Sequence, residues 1–480
     1  MRAISLVKKI EFEFSGNVAR NALTLGDVDN DGKFEFVIGN DQGEVAIFKE
    51  QERLQTISNL SFVACIAVGD IRNINRNSLV IVTADGWCYI YEVPEDTKDI
   101  IGNIRDSLSN LKVGIDEVEG QNQSSSNTEV NSTNESVSSE KKNKKEIKNF
   151  LICVHKQRIP SNVKNIILGD IDNDGLVEMV VGLTDRVVRS YRWVSEPDKA
   201  ETLEGKLLGK FVALYKWECA NQIGSITLHS GIDGNPSILV AQPGGTFMRI
   251  KCQTDEEQKS ENITNKADCS SRDNFSGSID YQSLGISRMR NQNISTEIIG
   301  DLKVSNINQG SNTDMSKNTP YAIATLDGTI MLVQNEIILW AIAVDHQIFA
   351  LTKLDITNNG SDDIVACSWD GQTYILDHEK NSVRFHLEEP VKAFHSGWYN
   401  VEDSEMPVTA LVYVTFKNTV IIYYDIPLKD LICKRFEPDY HRLSELFVNS
   451  NRNKEQALEY VQNLDKKSRK DLIEYLLYNS

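Results

Sequence analysis

The chain has 480 residues and carries 51 Lys and Arg against 69 Asp and Glu, a net charge of −18. That length exceeds what one compact core encloses and suits an array of small sheets. So acidic a surface repels polyphosphate and anionic lipid, which argues against nucleic acid and membrane insertion unless a basic patch exists.

At the amino terminus, Met1 to Lys9 lacks the long apolar core of a signal peptide, and no run of 18 apolar residues follows anywhere. Eight cysteines are scattered without Cys-x-x-Cys spacing. A cytoplasmic protein with reduced, mostly buried thiols is expected. Ile10-Glu11-Phe12-Glu13-Phe14 alternates as a strand does, and is expected to complete the last sheet of a closed ring.

Next comes an acidic loop between apolar strands, Leu25-Gly26-Asp27-Val28-Asp29-Asn30-Asp31-Gly32 followed by Glu35. It recurs as Leu168-Gly169-Asp170-Ile171-Asp172-Asn173-Asp174-Gly175 followed by Glu178. A hydrophobic run and a second turn trail each copy, so the unit is a repeat. The second turn can be followed through the chain: Asp41-Gln42-Gly43, Asp85-Gly86, Thr184-Asp185, Gly244-Gly245, Asp327-Gly328, Asp370-Gly371 and Lys417-Asn418. Each precedes a short β-prone run, and Asp-Gly there predicts hairpins with both central residues at positive φ.

Gly43 and Gly86 lie 43 residues apart, as do Gly328 and Gly371, which is the length of a four-stranded propeller blade. Seven turns predict an all-β, seven-bladed propeller over residues 1–435. Polar, Asn/Ser-rich stretches near 94–149, 253–282 and 304–318 read as disordered insertions. The basic run Lys141-Lys142-Asn143-Lys144-Lys145 and the sequons at Asn131 and Asn134 fall in the first of these. From 436 to 480 the apolar period turns helical (Ala457, Val461, Leu464, then Leu472, Ile473, Leu476), predicting two or three short helices in a tail.

Alternating carboxylates with a glycine at the sixth place form an oxygen cage suited to a structural Ca²⁺. The candidate ligands are Asp27, Asp29, Asp31 and Glu35, and Asp170, Asp172, Asp174 and Glu178, with backbone carbonyls at Lys33 and Leu176. The same residues also make metal-free tight turns through side-chain-to-backbone hydrogen bonds. Both readings stand at this point. Other repeats have lost the pattern: Arg72 takes a ligand place after Asp70, and Asp355-Ile356-Thr357-Asn358-Asn359-Gly360 keeps one carboxylate of three. No catalytic constellation stands out among the seven histidines, and Asp345-His346 and Asp377-His378 read as strand-edge pairs.

The acidic loops and blade period resemble the FG-GAP repeats of integrin α-subunits. Closer still is an intracellular branch of that family whose members are subunits of the KICSTOR complex. The resemblance rests on Leu25–Asn30, Val181–Arg189, Val344–Leu351, Val365–Ile375 and Leu411–Phe416. It implies a non-catalytic scaffold that pairs with kaptin and the large organising subunit. In that role it helps hold the GATOR complex at the lysosomal surface and restrains mTOR signalling when nutrients are scarce. The alternative is an extracellular, integrin-like adhesion or ligand-binding propeller.

Overall fold

The computed structural model describes residues 2–94, 150–195, 209–231, 234–252, 277–283, 293–305, 319–401, 406–428, 448 and 453–478. By its contacts the chain divides into Met1–Pro427 and Leu428–Ser480.

The first unit is a seven-bladed β-propeller. Two strands precede the first blade, β1 (Arg2–Ile4) and β2 (Lys9–Glu13). Blade one holds β3 (Leu23–Gly26), β4 (Glu35–Gly39), β5 (Val45–Lys49) and β6 (Glu52–Ile57). Blade two holds β7 (Val63–Gly69), β8 (Ser78–Thr83), β9 (Trp87–Glu92) and β10 (Ile152–Arg158). Blade three holds β11 (Val163–Gly169), β12 (Glu178–Leu183), β13 (Val187–Ser195) and β14 (Gly209–Glu218). Blade four holds β15 (Ile226–Ser230), β16 (Pro236–Gln242), β17 (Thr246–Cys252) and β18 (Gly277–Ser283). Blade five holds β19 (Thr296–Ile299), β20 (Tyr321–Thr325), β21 (Thr329–Gln334) and β22 (Ile337–Ala343). Blade six holds β23 (Ile348–Leu354), β24 (Asp363–Ser368), β25 (Gln372–Leu376) and β26 (Ser382–His386). Blade seven holds β27 (Val391–Tyr399), β28 (Val408–Thr415) and β29 (Thr419–Tyr424).

The ring closes as the alternation of Ile10–Phe14 predicts. Strand β2 pairs antiparallel with β29, Lys9 opposite Tyr423 through Glu13 opposite Thr419. Phe12 then packs on Phe48 of blade one with ring centroids 4.5 Å apart. One buried cluster joins Phe14, Phe36 and Phe48 to Val412, Val414 and Ile422 of blade seven, so the last blade is stitched to the first by apolar contact as well as by the ladder. The sequence pattern gives no sign of β1, which adds to β26 in parallel and makes blade six five-stranded.

All seven turns that set the blade count join the second and third strands of a blade, but their geometry departs from the paired positive φ expected of Asp-Gly. In six of them only the last residue of the loop is left-handed: Gly43, Gly86, Arg186, Gly328, Gly371 and Asn418 have positive φ, while Asp85, Asp327 and Asp370 do not; in blade four both Gly244 and Gly245 are left-handed, at 82° and 68°. Gly86 N–H donates to the Thr83 carbonyl at 2.9 Å and Gly371 N–H to that of Ser368 at 3.1 Å, a tight turn followed by a left-handed residue. The aspartate has a different task. Its carboxylate accepts from the hydroxyl that starts the turn, as Asp85 does from Thr83 at 2.6 Å.

A second correction concerns residues 253–282, read as an insertion. Gly277–Ser283 is β18, the outer strand of blade four, paired along its whole length with β17. Outer strands face solvent and need a backbone ladder rather than an apolar run, so Ser278-Ile279-Asp280-Tyr281-Gln282 pairs without looking strand-like. The remainder of that stretch, the one from 95 to 149 with its basic run and sequons, and residues 306–318 lie outside the described residues.

Described by itself, the second unit holds α1 (Lys454–Gln462) and α2 (Lys466–Tyr478). Asn453 caps α1 in a reciprocal capping box with Gln456. The Asp465 carboxylate accepts from the N–H of Lys467 at 3.2 Å at the start of α2.

Candidate functional site: the acidic loops

The loops that join the first and second strands of blades one and three bring together three of the four carboxylates named in each, without Asp31 or Asp174. Ligand atoms of Asp27, Asp29 and Glu35 lie within 4.8 Å of one another, and so do those of Asp170, Asp172 and Glu178. Each carboxylate already has a partner within the chain.

The first aspartate closes the turn. Asp27 accepts from the N–H of Asp31 at 3.1 Å and of Gly32 at 3.0 Å. Asp170 accepts from Asn173 at 2.6 Å and Gly175 at 2.8 Å. Asp70 and Asp355, in loops that have lost the carboxylates at the third and fifth places, do the same: Asp70 takes the N–H of Ile74 and Asn75, and Asp355 those of Asn359 and Gly360. A task kept where no cage remains belongs to the turn itself. The ninth residue also serves the backbone, Glu35 accepting from Val28 N–H at 2.9 Å and Glu178 from Ile171 at 3.1 Å.

The third and fifth residues hold a cation that the sequence reading missed. Lys49 Nζ stands 2.5 Å from Asp29, 2.8 Å from Asp31 and 2.9 Å from Glu35. In blade three the Arg192 guanidinium lies 3.0 Å from Asp172, 2.8 Å from Asp174 and 2.5 Å from Glu178. Both cations come from the third strand of the blade at the register position facing the ninth loop residue, as the Glu178–Arg192 pairing shows. The signal that could have found them is a charge at a constant distance of 14 residues: Glu35 to Lys49, Glu178 to Arg192.

Between cation and turn sits an asparagine with a third duty. Asn30 and Asn73 are left-handed, at φ 61° and 57°. Asn30 Oδ1 accepts from the N–H of Asn77 in blade two at 2.7 Å. Asn73 Oδ1 accepts from that of Val177 in blade three at 2.6 Å. Asn400 of blade seven reaches Phe34 of blade one at 2.8 Å. The loops therefore latch one blade to the next.

Burial dominates the electrostatics. Glu35 and Glu178 have no exposed surface. Burial, with Asp29 adding to it, pushes the Glu35 carboxyl up to about 7 against the pull of Lys49. Burial likewise takes Glu178 to about 7 against the Ile171 N–H and Arg192. A carboxyl whose folded value lies above its unfolded value of about 4.3 keeps a proton that the unfolded chain has released. Its contribution to stability is thus present at low pH and is lost as pH rises through the folded value. Thermal stability is expected to be lower at pH 8 than at pH 6, and the paired Glu35→Gln and Glu178→Gln variant to flatten that slope. A stability that climbs with pH across this window, or an unchanged slope in the variant, would contradict the assignment.

The central channel is the other concave site. The first strands of the blades line a cavity of about 360 Å³. Beside it, a cavity of about 380 Å³ holds Arg20, Lys164 and Glu297. Arg20 pairs with Glu297 at 3.0 Å and lies over the rings of Phe349 and Trp369, 5.3 and 5.1 Å from their centroids. These charges are spent on one another and on packing. The histidines expected to pair with neighbouring aspartates do otherwise: His346 meets Asp370 at 3.3 Å, and Asp377 turns to the N–H of Glu379 and Asn381. Among the described residues no helix is long and apolar enough to cross a membrane.

Comparison with known proteins adds what geometry alone does not. A family profile described as "Integrin-alpha FG-GAP repeat-containing protein 2" matches residues 50–428. A Mus musculus protein named "KICSTOR complex protein ITFG2" is 34% identical over 92% of this chain and 91% of its own length. A Bos taurus protein of the same name is 31% identical over 89% of this chain and 72% of its own length. Among solved structures, a crystal structure of BBS1N in complex with ARL6DN, soaked with lead, superposes with a TM-score of 0.51 at 12% identity, covering 89% of this chain and 98% of that one. At that identity the likeness concerns the fold alone.

Proposed function

The chain belongs to the family of integrin-alpha FG-GAP repeat-containing protein 2, and from that premise we propose that it is a non-catalytic scaffold subunit of a KICSTOR complex. The observation that carries this reading is the 34% identity to a protein of that name sustained across 92% of the chain. A closed ring whose loops latch blade seven to blade one, one to two and two to three is also what a scaffold requires: many rigid faces and little internal motion.

In this reading the ring docks kaptin and the large organising subunit. It is cytoplasmic and reaches the lysosomal surface through its complex, without entering the bilayer. There the assembly holds the GATOR complex in place and restrains mTOR signalling when amino acids or glucose are scarce. Channel charges such as Arg20 and Glu297 are structural in this account, and no residue is assigned to catalysis.

Cells that lack the protein are expected to keep mTOR-pathway phosphorylation high after amino-acid withdrawal, and re-expression of the full chain to restore the fall. A normal starvation response in the deleted cells would overturn the proposal.

A further inference from the structure

We propose that the chain supplies its own cations to the acidic loops: Lys49 and Arg192 stand where loops of this kind would hold Ca²⁺, and the ring assembles without divalent ions. The inference concerns the loops alone and does not depend on membership of any complex.

The donor set suits Ca²⁺ in kind, since the ion takes six to eight oxygens at about 2.3–2.6 Å. The oxygens are committed elsewhere. Asp27 and Asp170 are turned to backbone N–H groups, and one oxygen each of Glu35 and Glu178 does the same. What is left of the cage is gathered on the Lys49 ammonium and the Arg192 guanidinium. An ion at the focus of those carboxylates would have to expel the side chain that now fills it.

The other blades give an independent comparison within the same chain. In blade two the third loop residue is Arg72 rather than an acid, and the strand position that carries Lys49 and Arg192 carries Glu92. Their charges are swapped and they meet at 2.7 Å, both buried. In blade six the third and fifth residues are the neutral Thr357 and Asn359, and the strand position holds Asp377, which bonds to its own turn. Acid loops face a cation, a basic loop faces an acid, and the neutral loop faces no cation. In blades one to three the charge at the third loop place is thus balanced by a strand residue of the same chain, which a metal site would not require.

The test is thermal unfolding and calorimetric titration of the purified full-length protein, in chelator and in millimolar CaCl₂. The wild-type midpoint is expected to agree within about 1 °C between the two, with no saturable heat. A midpoint raised by Ca²⁺, or saturable uptake of the ion, would overturn the proposal. Lys49→Met leaves Asp29, Asp31 and Glu35 without a cation, so its midpoint is expected to fall and to recover on adding Ca²⁺. A folded Lys49→Met that ignores Ca²⁺ would show that the two cations are not interchangeable there. Should that variant fail to fold, Lys49→Met combined with Asp29→Thr and Asp31→Asn gives the loop the neutral third and fifth residues of blade six. It is expected to fold and to be indifferent to Ca²⁺, and its failure to fold would show that Lys49 is needed for something other than charge balance.

Discussion

Gly371→Ala is expected to cost about 3 kcal/mol or more of folding stability, among the largest effects of any single methyl group added to the ring. Gly371 has φ +89°, and a Cβ there would meet the Leu387 carbonyl oxygen at 2.2 Å and that of Glu389 at 2.7 Å. Neither neighbour can retreat cheaply, because Leu387 N–H donates to the Gly371 carbonyl at 3.0 Å and so fixes the entry to blade seven. Arg186, at φ 69° in the matching turn of blade three, is the control. Arg186→Gly relieves backbone strain but loosens the unfolded chain, and is expected to change stability by no more than about 1 kcal/mol. Chemical denaturation followed by circular dichroism measures both. A Gly371→Ala protein as stable as wild type would mean that the turn can reshape around the added carbon.

Removal of residues 1–14 is expected to have the second large effect, opening the ring between blades seven and one. The deletion takes away β1 and β2, and with them Phe14, which is 2% exposed, and the partly buried Ile10 and Phe12. Burial of three such side chains contributes roughly 4–8 kcal/mol, comparable to the whole net stability of many domains. It also exposes the β29 edge, a template for unwanted strand pairing. The truncated chain is expected to aggregate or to lose its cooperative unfolding transition. A peptide spanning residues 1–14, added in excess, is expected to restore part of that transition. Cooperative unfolding at the wild-type midpoint would place the closure elsewhere.

Sequence reading reached those elements whose signal is local. The seven hairpin turns, the alternating Ile10–Phe14 strand and the two acidic loops each have a composition that only a few backbone conformations satisfy. It failed where the cause lies on another strand. Nothing in Arg2-Ala3-Ile4 marks it for pairing with β26, because the partner's free edge, not the tripeptide, creates the demand. The strand β18 was hidden because an outer edge in solvent accepts Ser, Asp and Gln. The acidic loops were legible as clusters of carboxylates, yet their occupants were not. Lys49 ends an apolar run, where a charged residue ordinarily marks the return to solvent, and Arg192 lies inside a strand that also carries Arg189, so neither stands out. Only comparison of four blades, with Glu92 and Asp377 at the same position, turns that charge into part of a pattern.

The most direct test of the scaffold account is affinity capture of the tagged full-length protein from its own cells, in parallel with chelator and with Ca²⁺, read by quantitative mass spectrometry. Kaptin and the large organising subunit are expected in near-equal amounts with the bait, at the same level in both buffers. Recovery of surface receptors or glycoproteins in their place, and only with Ca²⁺, would contradict the account. The integrin-like reading would then hold.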